Sequence, residues 1–151
     1  MKSRYVTLVS LVVSVFLLSF IGVGADRVEL MHDTGRPTGF LSLGAPYGHL
    51  ISFSPPRTPW FIERIGTYGH QYGQSEKAEF VVEIWASNRS VLFSRAYPYS
   101  AFKTLGTWIG FPIPRIMVKD NFYVAVYTGS DAERGIFISY DNSTINDHSD
   151  I

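Results

Sequence analysis

The aromatic residues Trp60, Tyr68, Tyr72, Trp85, Tyr97, Tyr99 and Trp108 offer the most specific chemistry in this chain. Tyr and Trp rings stack on the apolar faces of sugars, while nearby polar groups fix orientation. His70 and Tyr72 fall in the polar, glycine-bearing stretch 69–75, which reads as a loop. Trp108 opens a segment interrupted by Pro112 and Pro114. His70, Tyr72 and Trp108 are therefore the candidate ligand-binding residues. The competing expectation is that these rings fill a core. For most of them that must hold, because they are large and carried on apparent strands.

Metal and catalytic chemistry has thinner support. The histidines, His32, His49, His70 and His148, share no i,i+2 or i,i+4 spacing and so form no transition-metal pattern. The chain has no cysteine, which excludes thiolate catalysis and thiolate metal sites. Calcium takes hard oxygen ligands and is the one cofactor to weigh, with Asp33 and Asp141 as candidate ligands and Asp147 beside them. Asp33 and Asp141 serve equally well as turn caps, and no EF-hand ligand ladder is present, so the leading expectation is no cofactor. No G-x-S-x-G elbow, HExxH motif or phosphate loop occurs. Glu63, Glu79 and Glu83 lie in apparent strands, where a carboxylate pair could act on a glycoside. Such residues are more often the solvated side of a sheet, and the chain is not expected to be an enzyme. Two sequons, Asn88-Arg89-Ser90 and Asn142-Ser143-Thr144, make Asn88 and Asn142 candidate glycosylation sites.

The elements that must position these residues are strands. The organising stretch is 79–99, EFVVEIWASNRSVLFSRAYPY, which reads as a β-hairpin. Phe80, Val82, Ile84 and Ala86 share one face by period two; Val81, Glu83 and Trp85 share the other. A lone hairpin cannot bury its apolar face, so further strands must cover it. Short strands are expected at 28–31, 40–43, 48–53, 60–68, 122–128 and 135–140, with an edge strand or crossing segment within 108–118. In 60–68, simple alternation puts Phe61 and Ile65 on one face and Ile62, Arg64 and Tyr68 on the other. Residues 141–151 are polar and expected to fray. The fold class is all-β: an antiparallel two-sheet β-sandwich, jelly-roll-like, preceded by an N-terminal hydrophobic helix.

That hydrophobic segment reads as an export signal over 1–25. Lys2 and Arg4 precede an uncharged apolar run of about 18 residues, and Val23-Gly24-Ala25 offers a small-residue cleavage site. The alternative is an uncleaved anchor, since the run reaches the lower limit for spanning a bilayer. Either way the domain, 26–151, is expected outside the cytoplasm, secreted or at the cell surface, touching membrane only through its N-terminal segment. Removing 1–25 leaves 11 basic and 13 acidic residues, a net charge of −2, with no basic stripe for nucleic acid.

The order of these pieces resembles uncharacterised exported β-sandwich modules of archaea and some bacteria. The matching residues are His32-Asp33-Thr34-Gly35, Ile51-Ser52-Phe53-Ser54-Pro55-Pro56, Ile65-Gly66-Thr67-Tyr68-Gly69 with Tyr72-Gly73, Phe80-Val81-Val82-Glu83-Ile84-Trp85, Asp120-Asn121-Phe122-Tyr123-Val124 and the run 135–141. The resemblance covers most of 28–148 and implies an accessory or surface module without catalytic residues. It also implies a closing aromatic strand beyond His148, which this chain would lack. Two functions follow as expectations: binding of a glycan or envelope component, or a structural or assembly role with a protein partner at an exposed strand edge. An exposed aromatic row on one sheet would favour the first; a bare hydrophobic edge would favour the second.

Overall fold

The computed structural model describes residue 30, residues 38–73 and 78–140, and the backbone of Ser149–Asp150. The expected leader, the strand at 28–31 apart from Leu30, and residues Asp33, Asp141, Asn142 and Asp147 lie outside the described residues. The strands are β1 (Gly39–Leu41), β2 (His49–Phe53), β3 (Trp60–Gly73), β4 (Glu79–Ala86), β5 (Val91–Pro98), β6 (Thr107–Val118), β7 (Phe122–Tyr127), β8 (Arg134–Tyr140) and β9 (Ser149–Asp150). One 3-10 turn, Tyr99–Ala101, follows β5. Among the described residues no helix is long and apolar enough to cross a membrane.

The strands form a β-sandwich. One sheet has the order β1-β8-β3-β6; the other has the order β5-β4-β7-β2-β9. Every pairing is antiparallel. Among the described residues the hairpin β4–β5 is the one pair of consecutive strands that share a sheet. Every other step along the described chain crosses from one sheet to the other, so the core is built from contacts distant in sequence.

Alternation in β4 sets the core. Phe80, Val82 and Ile84 are fully buried, whereas Val81, Glu83 and Trp85 face outward. Phe122, Val124 and Val126 of β7 extend this face. Ile62 and Ile65 of β3, Phe111 and Ile113 of β6, and Ile136 and Ile138 of β8 meet it from the other sheet. Burying each such side chain contributes about 1.5–3 kcal/mol. With no cysteine in the chain, no disulfide adds to this. The loop after β7 is tied down by hydrogen bonds: Tyr99 donates to the Thr128 carbonyl, Thr128 donates to the Leu43 carbonyl at 2.6 Å, and Ser130 Oγ accepts the Ile136 amide at 3.1 Å.

Two local expectations need correction. The stretch 69–75 is not a loop throughout: β3 runs on to Gly73, paired with β8 from Gly69↔Ile138 to Gly73↔Arg134. The segment 108–118 is the edge strand that one of its two readings expected, and it continues through its prolines because the outer side of an edge needs no ladder donors. The faces of 60–68 also differ from simple alternation. The β3–β6 register breaks between Ile62 and Arg64, so Ile62 and Ile65 both turn inward and Phe61 turns outward.

One buried group has a consequence for stability. His49 pairs in register with the buried Val126, and its Nε2 is buried with no partner among the described residues. Desolvation by burial pulls its pKa below the ordinary 6.5, while a hydrogen bond with the Leu41 backbone acts in the opposite direction. The unfolded chain therefore takes up a proton that the folded chain resists. Above about pH 6.5 this contribution to stability is complete; it is lost as pH falls from there through the depressed folded value. We expect His49→Leu to flatten that part of the urea-unfolding profile. Asp131 acts lower, below about pH 4, because the Glu133 and Arg134 amides hold its carboxyl below the usual range. Identical slopes for the two proteins between pH 7 and 5 would refute the role of His49.

Candidate functional site: an aromatic row on the four-stranded sheet

The outward positions of β3 beyond its register break are Arg64, Gly66, Tyr68, His70 and Tyr72, by the same period of two that buries Ile65. Pairing then sets their neighbours. Tyr68 lies opposite Trp108 of β6, His70 opposite Phe137 of β8, and Tyr72 opposite Gly135. Phe40 of β1 lies opposite Ser139, and its ring crosses β8 over that small residue to meet β3.

These rings form one connected row. Trp108 meets Tyr68 edge-on with centroids 5.8 Å apart, and Tyr68 meets Phe40 at 6.1 Å. Phe40 meets His70 edge-on at 4.9 Å, His70 stacks on Phe137 at 5.0 Å, and Phe137 meets Tyr72 at 4.8 Å. Trp108 is 50% exposed and Phe40 39% exposed; Tyr68, His70, Tyr72 and Phe137 are half-buried by one another. These separations are those of favourable aromatic pairs, which fixes the platform before any ligand arrives.

Polar groups anchor one end. The Tyr72 hydroxyl donates to the Asp131 carbonyl at 2.6 Å and lies 3.5 Å from Ser42 Oγ. A side chain at Gly135 would come within 2.5 Å of that hydroxyl, so glycine is what lets Tyr72 lie there. The Asp131 carboxylate accepts the Glu133 and Arg134 amides at 2.8 and 2.9 Å and pairs with the Arg134 side chain.

The structure thus brings all three of His70, Tyr72 and Trp108 onto one face. Phe40 and Phe137 complete the row and were not legible as members from the sequence. Phe137 alternates with the buried Ile136 and Ile138, but alternation alone does not say which face is outside. Of the other aromatics considered, Tyr97 and Tyr99 pack against the buried Phe80, and Tyr99 is itself buried.

Other candidates are placed as follows. Glu63 and Glu83 sit on different sheets. Glu63 pairs with Arg115 at 3.6 Å, while Glu83 accepts hydrogen bonds from Trp85 Nε1 at 2.8 Å and Ser94 Oγ at 2.9 Å. Glu79 and Glu83 share β4 but stand about 14 Å apart along the strand, beyond the spacing of a glycosidase pair. Among the described residues no three His, Asp or Glu side chains cluster to hold a metal. The calcium candidates Asp33 and Asp141 lie outside the described residues, as does Asn142. Asn88 is exposed at the tip of the β4–β5 hairpin, where its Oδ1 accepts the Ser90 amide at 3.0 Å and Ser90 Oγ at 2.7 Å.

Comparison with family models, with curated proteins and with solved structures gives no match.

Proposed function

We propose that this chain is a non-catalytic, exported β-sandwich module that binds a glycan or another cell-envelope component through the outer face of its β1-β8-β3-β6 sheet. The observation that carries this reading is the row from Trp108 to Tyr72, a run of touching rings on a solvent-facing sheet. Rings on an outer face add nothing to the core between the sheets, and a contiguous exposed patch of this kind marks a contact surface. An open platform suits an extended saccharide whose ring faces lie on aromatic side chains. Export rests on the leader at 1–25, whether cleaved or kept as an anchor. The strand orders β1-β8-β3-β6 and β5-β4-β7-β2 support reading the sandwich as a jelly roll.

The test is a glycan-array screen of the full chain, run with calcium and with EDTA. The expected result is a reproducible saccharide hit that weakens in Tyr72→Ala. No hit from folded protein would sink the proposal. A hit lost in EDTA would point to a bound calcium ion, with Asp33 and Asp141 as the ligands to test by substitution.

A second reading, a protein partner at a strand edge, draws on β5. It ends the five-stranded sheet, carries Val91 at 54% and Leu92 at 43% exposure, and has no proline before Pro98. Such an edge is open to pairing. Association that Leu92→Lys abolishes, with no saccharide hit, would decide for this reading.

A further inference from the structure

We propose that Arg64 makes this face selective for anionic saccharides, those bearing a carboxylate or sulfate group. The inference rests on the glycan-binding reading and adds the charge class of the ligand.

Gly66 and Gly110 lie directly opposite each other on β3 and β6, one outward position beyond the Tyr68–Trp108 pair. Two facing glycines leave a strip of sheet without side chains beside the exposed Trp108 ring. Arg64 begins in the next outward row, opposite Pro112, and leans into this strip. Its Nε, Cδ and Cζ lie 3.0–3.3 Å from where a Cβ on residue 110 would stand. Glycine at 110 therefore lets the guanidinium lie against the β6 backbone. Successive outward rows are about 7 Å apart, so the charge sits within reach of a substituent on a sugar stacked on Trp108.

The charge is uncommitted. Arg115 pairs with Glu63 and lies 3.9 Å over Phe61, and Arg134 pairs with Asp131. Arg57 and Arg95 lie over the rings of Trp60 and Tyr97. Among the described residues no carboxylate is in ion-pair range of Arg64, and it covers no aromatic ring. A guanidinium offers a planar fork of donors that matches a carboxylate or sulfate at two points. An arginine that merely solubilised the sheet would show no preference among ligands.

The test is calorimetric titration of the full chain with hexagalacturonate, a sulfated carrageenan hexasaccharide and neutral cellohexaose, each at low and high salt. At least one anionic probe is expected to bind about tenfold or more tighter than the neutral one, with the preference shrinking as salt rises. Which anionic probe binds tells carboxylate from sulfate. Arg64→Gln is expected to remove about tenfold or more of the anionic affinity while leaving cellohexaose binding unchanged; Arg64→Lys should keep the salt dependence. Equal binding of neutral and anionic probes, with Trp108→Ala weakening both, overturns the charge selectivity and leaves the platform standing. Equal loss of both in Arg64→Gln overturns it too, since Arg64 would then only support the surface. No binding of any probe removes platform and selectivity together. A thermal melt of each variant confirms folding, which the exposure of Arg64 favours.

Discussion

Trp108→Ala is expected to weaken saccharide binding by about ten- to hundredfold, with little change in stability. A ring that stacks on a sugar and becomes buried contributes about 1.5–3 kcal/mol, and each 1.4 kcal/mol is about tenfold in affinity. Trp108 is half-exposed and touches the rest of the row only at Tyr68, so its removal leaves the core intact. Trp108→Phe should retain part of the affinity, since a smaller ring can still stack. The measurement is titration with the best array hit alongside a thermal melt. A variant that melts as the parent does and binds as tightly would remove Trp108 from the site, leaving the Phe40–Phe137 end as the only platform.

Phe80→Ala is expected to have the larger effect on folding. Phe80 is fully buried and meets Tyr97 at 5.7 Å, Phe102 at 5.2 Å and Phe111 at 5.3 Å between ring centroids. Phe111 belongs to the other sheet, so Phe80 joins the two layers and the segment after the 3-10 turn. Truncating a buried Phe costs about 3–5 kcal/mol, against a typical total of about 5–15 kcal/mol. For a domain of this size that is a fall in Tm of roughly 6–20 °C. Phe80→Leu should cost much less, because it leaves a smaller void. A fall of under about 3 °C for the alanine variant would mean that the layers close over the gap, and that the sandwich does not depend on this contact.

The two predictions separate the core between the sheets from the outer face of the four-stranded sheet. Its inner face holds the layers together through Ile62, Ile65, Phe111 and Ile136; its outer face carries the row and Arg64. Substitutions on the outer face are therefore clean probes of binding, and those on the inner face report on stability.

Strand identity was largely local information. Phe80, Val82 and Ile84 alternate with Val81, Glu83 and Trp85, and period two is a property of an extended backbone wherever it lies. The same holds for 122–127 and 135–140, and the absence of a helical period within 38–140 was equally legible. The polar, glycine-rich composition of 69–75 pointed to a loop, yet Gly69 to Gly73 continue β3 because β8 supplies a pairing partner. A composition signal of that kind reports what a segment does alone, and pairing overrides it. In 60–68 the register break reverses the faces, an effect of how β3 and β6 fit together that no count along one strand reveals. The aromatic row is the furthest from sequence. Residues 40, 68, 108 and 137 become neighbours through the order β1-β8-β3-β6, and that order follows from two sheets burying a shared core, not from spacing along the chain.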